Sequence, residues 1–278
     1  MVTVLTVLAL IAVLAVYVGR NLDRMPLPTF GAGCAVEADG RVELDSEQMS
    51  HAATITAVGV RLGMPDQAVV VALATAFQES KLRNLPHLGE RNDHDSVGLF
   101  QQRPSQGWGS EEEILDPRYA AERFYRALSE VDGWQEMRLT EAAQRVQRSA
   151  FPEAYQRWSR PATVLATALL GQVRAAVTCT VSGLSPVAAD PARAERVGRE
   201  LVDDWGEQVT ITRLDPSRVE VAAEDVQAGW RYAHWLVAHA GEHGVNRVHF
   251  ADLEWTAARG TWTKAVFASS TVQAHLTD

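Results

Sequence analysis

The sequence predicts a mainly α domain carrying a small hairpin, followed by a small α+β domain, the whole behind an N-terminal transmembrane helix. Three observations carry that expectation. The chain opens with an unbroken apolar run, its middle repeats apolar residues at helical spacing, and its C-terminal part switches to alternation at period two. The 278 residues, 46% of them hydrophobic, suffice for one or two ordinary cores. The expected division is 1–20 membrane anchor, 21–45 linker, 46–180 mainly α domain, 181–192 second linker and 193–278 small α+β domain.

From Val2 to Val18 only Thr3 and Thr6 are polar, with Tyr17 amphipathic. As a helix this run is about 25 Å long, the short end for a bilayer span. It exits through Tyr17-Val18-Gly19-Arg20 without a small-x-small cleavage site, which favours a retained anchor over the alternative, a cleaved signal peptide. A single span cannot enclose a path for polar solutes, so a transporter is excluded. Arg20 and Arg24 favour a cytoplasmic bulk. Cys34 and Cys179 argue the opposite, because an even pair flanking the whole middle segment suits a disulfide at the base of an extracytoplasmic domain. Two unrelated buried thiols are the alternative. The expected location is the cell membrane, single-pass, with the bulk of the chain outside.

Residues 21–44 hold Pro26, Pro28, Gly31, Gly33 and Gly40 without a sustained apolar period and read as linker. A first helix runs from Ser46 to about Leu62, stopped by Gly63 and Pro65. In Ala68 to Phe77 only Thr75 is polar, the composition of a helix buried on nearly all sides. Val69-Val70-Val71 admits a strand, but length and alanines favour helix. Pro117 to Glu130, Thr140 to Ser149 and Pro161 to Val177 carry helical spacing, and Ser96 to Gln102 reads as extended. Ser182 to Pro191 reads as linker. Val209 to Leu214 and Val219 to Val221 follow as strands, then a helix from Val226 to His243 ended by Gly244. The last strands are Val245 to Phe250 and Leu253 to Phe267, with a turn at Arg259-Gly260.

Lys+Arg number 26 against 35 Asp+Glu, a net charge of -9, with an isoelectric point near 5.4. A nucleic-acid partner needs a basic face and is not expected. Only Lys81 and Lys264 are lysine, so nearly all positive charge is arginine.

The chemistry concentrates between Ala74 and Ala127. The apolar helix ends at Phe77-Gln78-Glu79-Ser80, delivering a carboxyl from an apolar element, a setting in which a carboxyl serves as general acid. The plainer reading pairs Glu79 with Lys81 or Arg83 at an ordinary helix end. After a polar loop come Gly98-Leu99-Phe100-Gln101, and later Asp116-Pro117 opens a helix. This order resembles the lysozyme-like lytic transglycosylase superfamily, in which a Glu-Ser pair ends a central helix and a Gly-Leu-Met-Gln turn lines the sugar cleft; Phe100 stands where Met is usual. The strings Gln78 to Asn84 and Gly98 to Gly107 look like a branch of anchored or secreted lysozyme-like proteins from high-GC Gram-positive bacteria. The resemblance covers residues 46–178.

It implies that Glu79 is the catalytic acid/base and that Ser80, Gly98, Leu99, Phe100 and Gln101 form the substrate site, with the Gln101 amide on the N-acetyl group. The chain departs in two places. Arg118 to Arg123 lacks the usual Asn and Gly, and Val146 to Pro152 stands where an Ala-Tyr-Asn-x-Gly motif is expected. The tyrosine of that motif supports the acid in the family, and Gln147 or Tyr155 is the candidate substitute. One carboxyl suffices for a lytic transglycosylase, whereas a hydrolase needs a second. Asp93 and Asp95 are available for that role, with turn-capping as the competing one.

Five of the eight tryptophans lie in the C-terminal part (Trp205, Trp230, Trp235, Trp255, Trp262), where core packing is favoured over glycan stacking. His234, His239, His243 and His249 cluster in sequence, and His239 and His243 share a helix face at a metal-pair spacing. No Cys or carboxylate completes that set by sequence, so no metal and no cofactor is expected. The expected function is an extracytoplasmic peptidoglycan-cleaving muramidase or lysozyme-type glycosidase whose partner is the glycan strand. The alternative is a non-catalytic peptidoglycan-binding or scaffold protein with the same fold.

Overall fold

Residues Gly33–Ala38 (β1) and Gly40–Leu44 (β2) fold back on each other at Asp39 and pair antiparallel, Cys34 opposite Leu44. In the computed structural model, which describes residues 33–87, 89, 94–181 and 190–276, β1 is the centre of a three-stranded sheet. Its other neighbour is Val177–Thr180 (β3), and the register sets Cys34 directly opposite Cys179. The two sulfurs are bonded. Cys34, Val36, Val177 and Cys179 all face inward.

This sheet corrects the expectation of a mainly α fold. The described residues are 49% helix and 22% strand, with two antiparallel sheets among them, a mixed α/β architecture. Residues 33–44 look like linker because each strand is short and bounded by glycine. Val177, the first residue of β3, reads as the end of a helix because Ala175-Ala176-Val177 continues an apolar run.

Asp45 starts the first helix, Ser46–Arg61 (α1), through a reciprocal cap. Its side chain accepts from Gln48 N at 2.9 Å while Gln48 Oε1 accepts from Asp45 N at 3.0 Å. Met49 through Val58 are buried apart from Ser50 and His51, so α1 is a core helix. Gly59 lets Tyr125 approach: a Cβ there would stand 2.7 Å from the tyrosine oxygen, which donates to Ile55 O at 2.9 Å. Asp66–Ser80 (α2) is Ala- and Val-rich and packs on α1. Pro117–Ser129 (α4), Leu139–Gln147 (α5) and Ser159–Leu169 (α6) pack against this pair, and the short Glu111–Ile114 (α3) packs on α4.

Asp190 caps Pro191–Trp205 (α7), a helix without counterpart in the sequence expectation. Ile211–Asp215 (β4), Arg218–Ala222 (β5), Arg247–Thr256 (β6) and Thr261–His275 (β7) form the second sheet in the order β4-β5-β7-β6, antiparallel throughout. Val226–Ala238 (α8), continued by Ala240–His243 (α9), packs on β6 and β7 and also against α1, α6 and β3. His234 on α8 makes that junction specific. Its Nδ1 lies 2.8 Å from Ala168 O and its Nε2 accepts from Ala176 N at 3.0 Å, so the ring is neutral with the proton on Nδ1. Burial pushes its pKa down to about 4.

A second junction is ionic. Asp204, wholly buried on α7, accepts from Trp235 Nε1 at 2.6 Å, from Thr54 Oγ1 at 3.1 Å and from Arg118 Nε. Burial pushes its carboxyl up, while Arg118 and the bonds from Trp235 and Thr54 pull it down. One buried apolar cluster runs from Cys34 to Leu276, and the described residues form one compact unit. Among the described residues no helix is long and apolar enough to cross a membrane. The expected anchor, residues 1–20, lies outside them.

Candidate active site

Glu79 sits in the last turn of α2, half-buried, where the helix stops abruptly. Lys81 and Leu82 both adopt left-handed conformations, φ 59° and 61°, a rare pair for residues with side chains. Leu82 is fully buried, which holds the reversal in place. The chain end thus turns away and leaves the Glu79 carboxylate facing Tyr155.

The Tyr155 hydroxyl donates to Glu79 Oε1 at 2.6 Å. Tyr155 is buried, and burial first, then the charge of Glu79, push its pKa far up, so the phenol keeps the proton that it donates to Glu79. The plainer pairings are otherwise occupied. Arg83 bridges Asp45 and Glu47, the latter at 2.7 Å. Lys81 lies over the Trp158 ring at 4.6 Å and donates to Phe77 O at 3.0 Å. Burial, then Arg157, lower the Lys81 pKa, and Glu79 opposes them.

The turn at Gly98–Gln101 is clamped to the end of α2. Val97 and Gln102 form an isolated antiparallel bridge. Gly98 has φ 76°, and a Cβ there would lie 2.8 Å from Ile114 O, so geometry and space both require glycine. Ser80 Oγ stands 2.8 Å from Leu99 O and 3.1 Å from Ala76 O, a hydroxyl committed to joining helix and turn. Gln147 Nε2 donates to Phe100 O at 2.7 Å. Leu99 and Phe100 point inward, Phe100 stacking on Phe124 at 4.7 Å. The residue of the turn that remains half-exposed is Gln101, with φ 49° and its Nε2 bonded to Gly98 O at 3.1 Å.

Asp95 is engaged elsewhere. It accepts from Ser105 N at 2.7 Å and Ser105 Oγ at 2.8 Å, and those bonds hold its carboxyl below the usual range. It therefore caps the short turn at Pro104–Gln106. Asp93 lies outside the described residues.

Three residues beside Glu79 escape sequence reasoning. Gln78 Oε1 accepts from Arg157 Nη2 at 2.7 Å and from Trp158 Nε1 at 2.9 Å, and Trp158 stacks on Phe77 at 5.0 Å. The only local signal is the mixed aromatic and cationic run Tyr155-Gln156-Arg157-Trp158. Among the described residues, cavities of about 590 and 550 Å³ lie elsewhere, one lined by Glu111, Glu112, Leu115 and Asp116, the other by Leu62, Met64, Tyr125 and their neighbours.

Four of the five C-terminal tryptophans are buried, and Trp262 donates from Nε1 to Val177 O at 2.8 Å, so all five are packing residues. His234, His239, His243 and His249 are likewise buried. No family model and no curated protein matches this chain.

Proposed function

We propose that the protein is an extracytoplasmic, peptidoglycan-cleaving lytic transglycosylase with Glu79 as its single acid/base. The observation that carries this reading is the Tyr155 hydroxyl on Glu79 Oε1 at the end of a buried helix, with the Gly98–Gln101 turn clamped beside it. The ordered Glu-Ser and Gly-Leu-Phe-Gln motifs supply the substrate class by resemblance. The Cys34–Cys179 disulfide supports an oxidising compartment.

In this reading Tyr155 holds one carboxyl oxygen so that the other meets the glycosidic bond. The protonated carboxyl gives its proton to the leaving 4-oxygen as the C1–O4 bond breaks. The resulting carboxylate takes the proton of the muramic 6-hydroxyl as that oxygen attacks C1, which yields a 1,6-anhydro sugar and restores the acid. Of the two carboxylates considered for a hydrolase, Asp95 is held by Ser105, which favours the one-carboxylate route. Gln101, half-exposed at the turn, is the amide for the N-acetyl group.

A specific observation supports the non-catalytic alternative as well. Ser80, Gln147, Leu99 and Phe100 spend their polar or apolar groups inside the protein, so a ligand meets a short list of side chains. The test is digestion of purified peptidoglycan by the full chain in detergent, wild type against Glu79→Gln, with mass spectrometry of released muropeptides. Anhydro products from wild type alone are expected. Reducing-end products would replace the lyase by a hydrolase, and pull-down on peptidoglycan without any products would favour the binding protein.

A further inference from the structure

Glu200 on α7 and Glu242 and His243 on α9 converge, one potential ligand atom from each lying within 4.8 Å of the others. His243 is only 2% exposed, and neither ring nitrogen has a hydrogen-bond partner, although Nε2 faces Glu200 Oε2 at 3.5 Å. A buried imidazole that bonds nothing is costly. Its neighbours are provided for: His234 bonds through both nitrogens, and His239 Nδ1 and Nε2 lie 2.9 Å from Trp235 O and 3.3 Å from Thr54 Oγ1. The His243 side chain is therefore aimed at two carboxylates with its nitrogens uncommitted.

We propose that Glu200, Glu242 and His243 bind a divalent transition-metal ion of the zinc or manganese class. One imidazole and two carboxylates suit such ions, whereas calcium and magnesium prefer oxygen alone. Two ligand atoms each about 2.1 Å from a tetrahedral zinc stand roughly 3.4 Å apart, so the cluster needs only a small inward movement. Glu242 can supply it, being exposed. The same exposure gives the ion an entry path and leaves coordination positions to water. Arg118 Nη2 donates to Glu200 Oε2 at 3.0 Å and fixes that carboxylate, the role an outer partner plays around a metal ligand. The i, i+4 pair of the sequence, His239 and His243, is not the ligand pair. The two rings stack at 5.7 Å, with His239 turned to Thr54. Bound there, the ion would tie α9 to α7. The site shares no residue with the Glu79 site, so neither reading depends on the other.

The full chain, purified without a histidine tag and stripped with chelator, is titrated calorimetrically with Zn²⁺ and Mn²⁺, and the Co²⁺-loaded protein is examined for visible absorption. One ion per chain is expected, at least tenfold weaker in Glu242→Gln and lost in His243→Ala, with the cobalt bands changing in both. If His243→Ala does not fold, the exposed Glu242→Gln variant carries the test alone. No stoichiometric uptake, or uptake that the variants leave unchanged, would overturn the proposal.

Discussion

A phenol kept protonated by its surroundings has a proton to donate, and Tyr155 donates it to one oxygen of Glu79, so proton exchange with a substrate falls to the other. Tyr155→Phe removes a bond to an ionisable acceptor, worth about 1.5 to 3 kcal/mol. Initial rates of muropeptide release should drop roughly 10- to 100-fold, with the circular-dichroism spectrum unchanged; a wild-type rate would remove Tyr155 from the site. His234 makes a different prediction. Its folded pKa of about 4 lies below the ordinary histidine value of 6.5, so between those values the unfolded chain binds a proton that the folded protein refuses. Stability present above pH 6.5 is lost as pH falls toward 4, by about 3 kcal/mol from this residue. Urea unfolding at pH 7 and pH 5 checks the sign, and equal or higher stability at pH 5 would contradict it. The role of His234 has no signal in the sequence. For the group that supports the acid the sequence offers Gln147 or Tyr155 without deciding between them, because 76 residues separate Tyr155 from Glu79 and only packing brings those two together.

At the scale of elements, the candidate site is made where regular structure stops. α2 ends in two left-handed residues, and the turn opposite places Gly98 and Gln101 in the same region. Such conformations persist only where packing holds them, at a cost of about 1 to 3 kcal/mol for a residue with a side chain. Gly98→Ala adds a Cβ against Ile114 O. It should lower stability by about 1 to 3 kcal/mol and cut activity by displacing Gln101; unchanged melting and turnover would show that the turn has slack. The long core helices were legible because apolar period and capping agree, as at Asp45 and Gln48. The strands of the first sheet were not, since four to six residues leave no period to read, and β1 pairs with β3 from the far end of the disulfide loop. α7 carries sequence signals of its own. Asp190-Pro191 is a helix start, and Ala194, Val197, Leu201 and Trp205 recur on its buried face.

For the molecule as a whole, the disulfide closes a loop over more than half of the described chain, its cysteines 145 residues apart. The entropy of that loop is worth on the order of 5 kcal/mol. The double variant Cys34→Ser, Cys179→Ser should therefore melt roughly 10 to 20 °C lower, a loss that reductant should reproduce in the wild type but not in the variant. Equal melting temperatures would mean that the sheet alone holds β1 and β3 together. The bond also has a consequence for how the protein withstands proteolysis. A single cut at any surface point between the two cysteines would sever the backbone without releasing either piece. The clipped form would migrate as one band until a thiol was added, and would keep β1 seated in the sheet where an uncrosslinked chain could shed it.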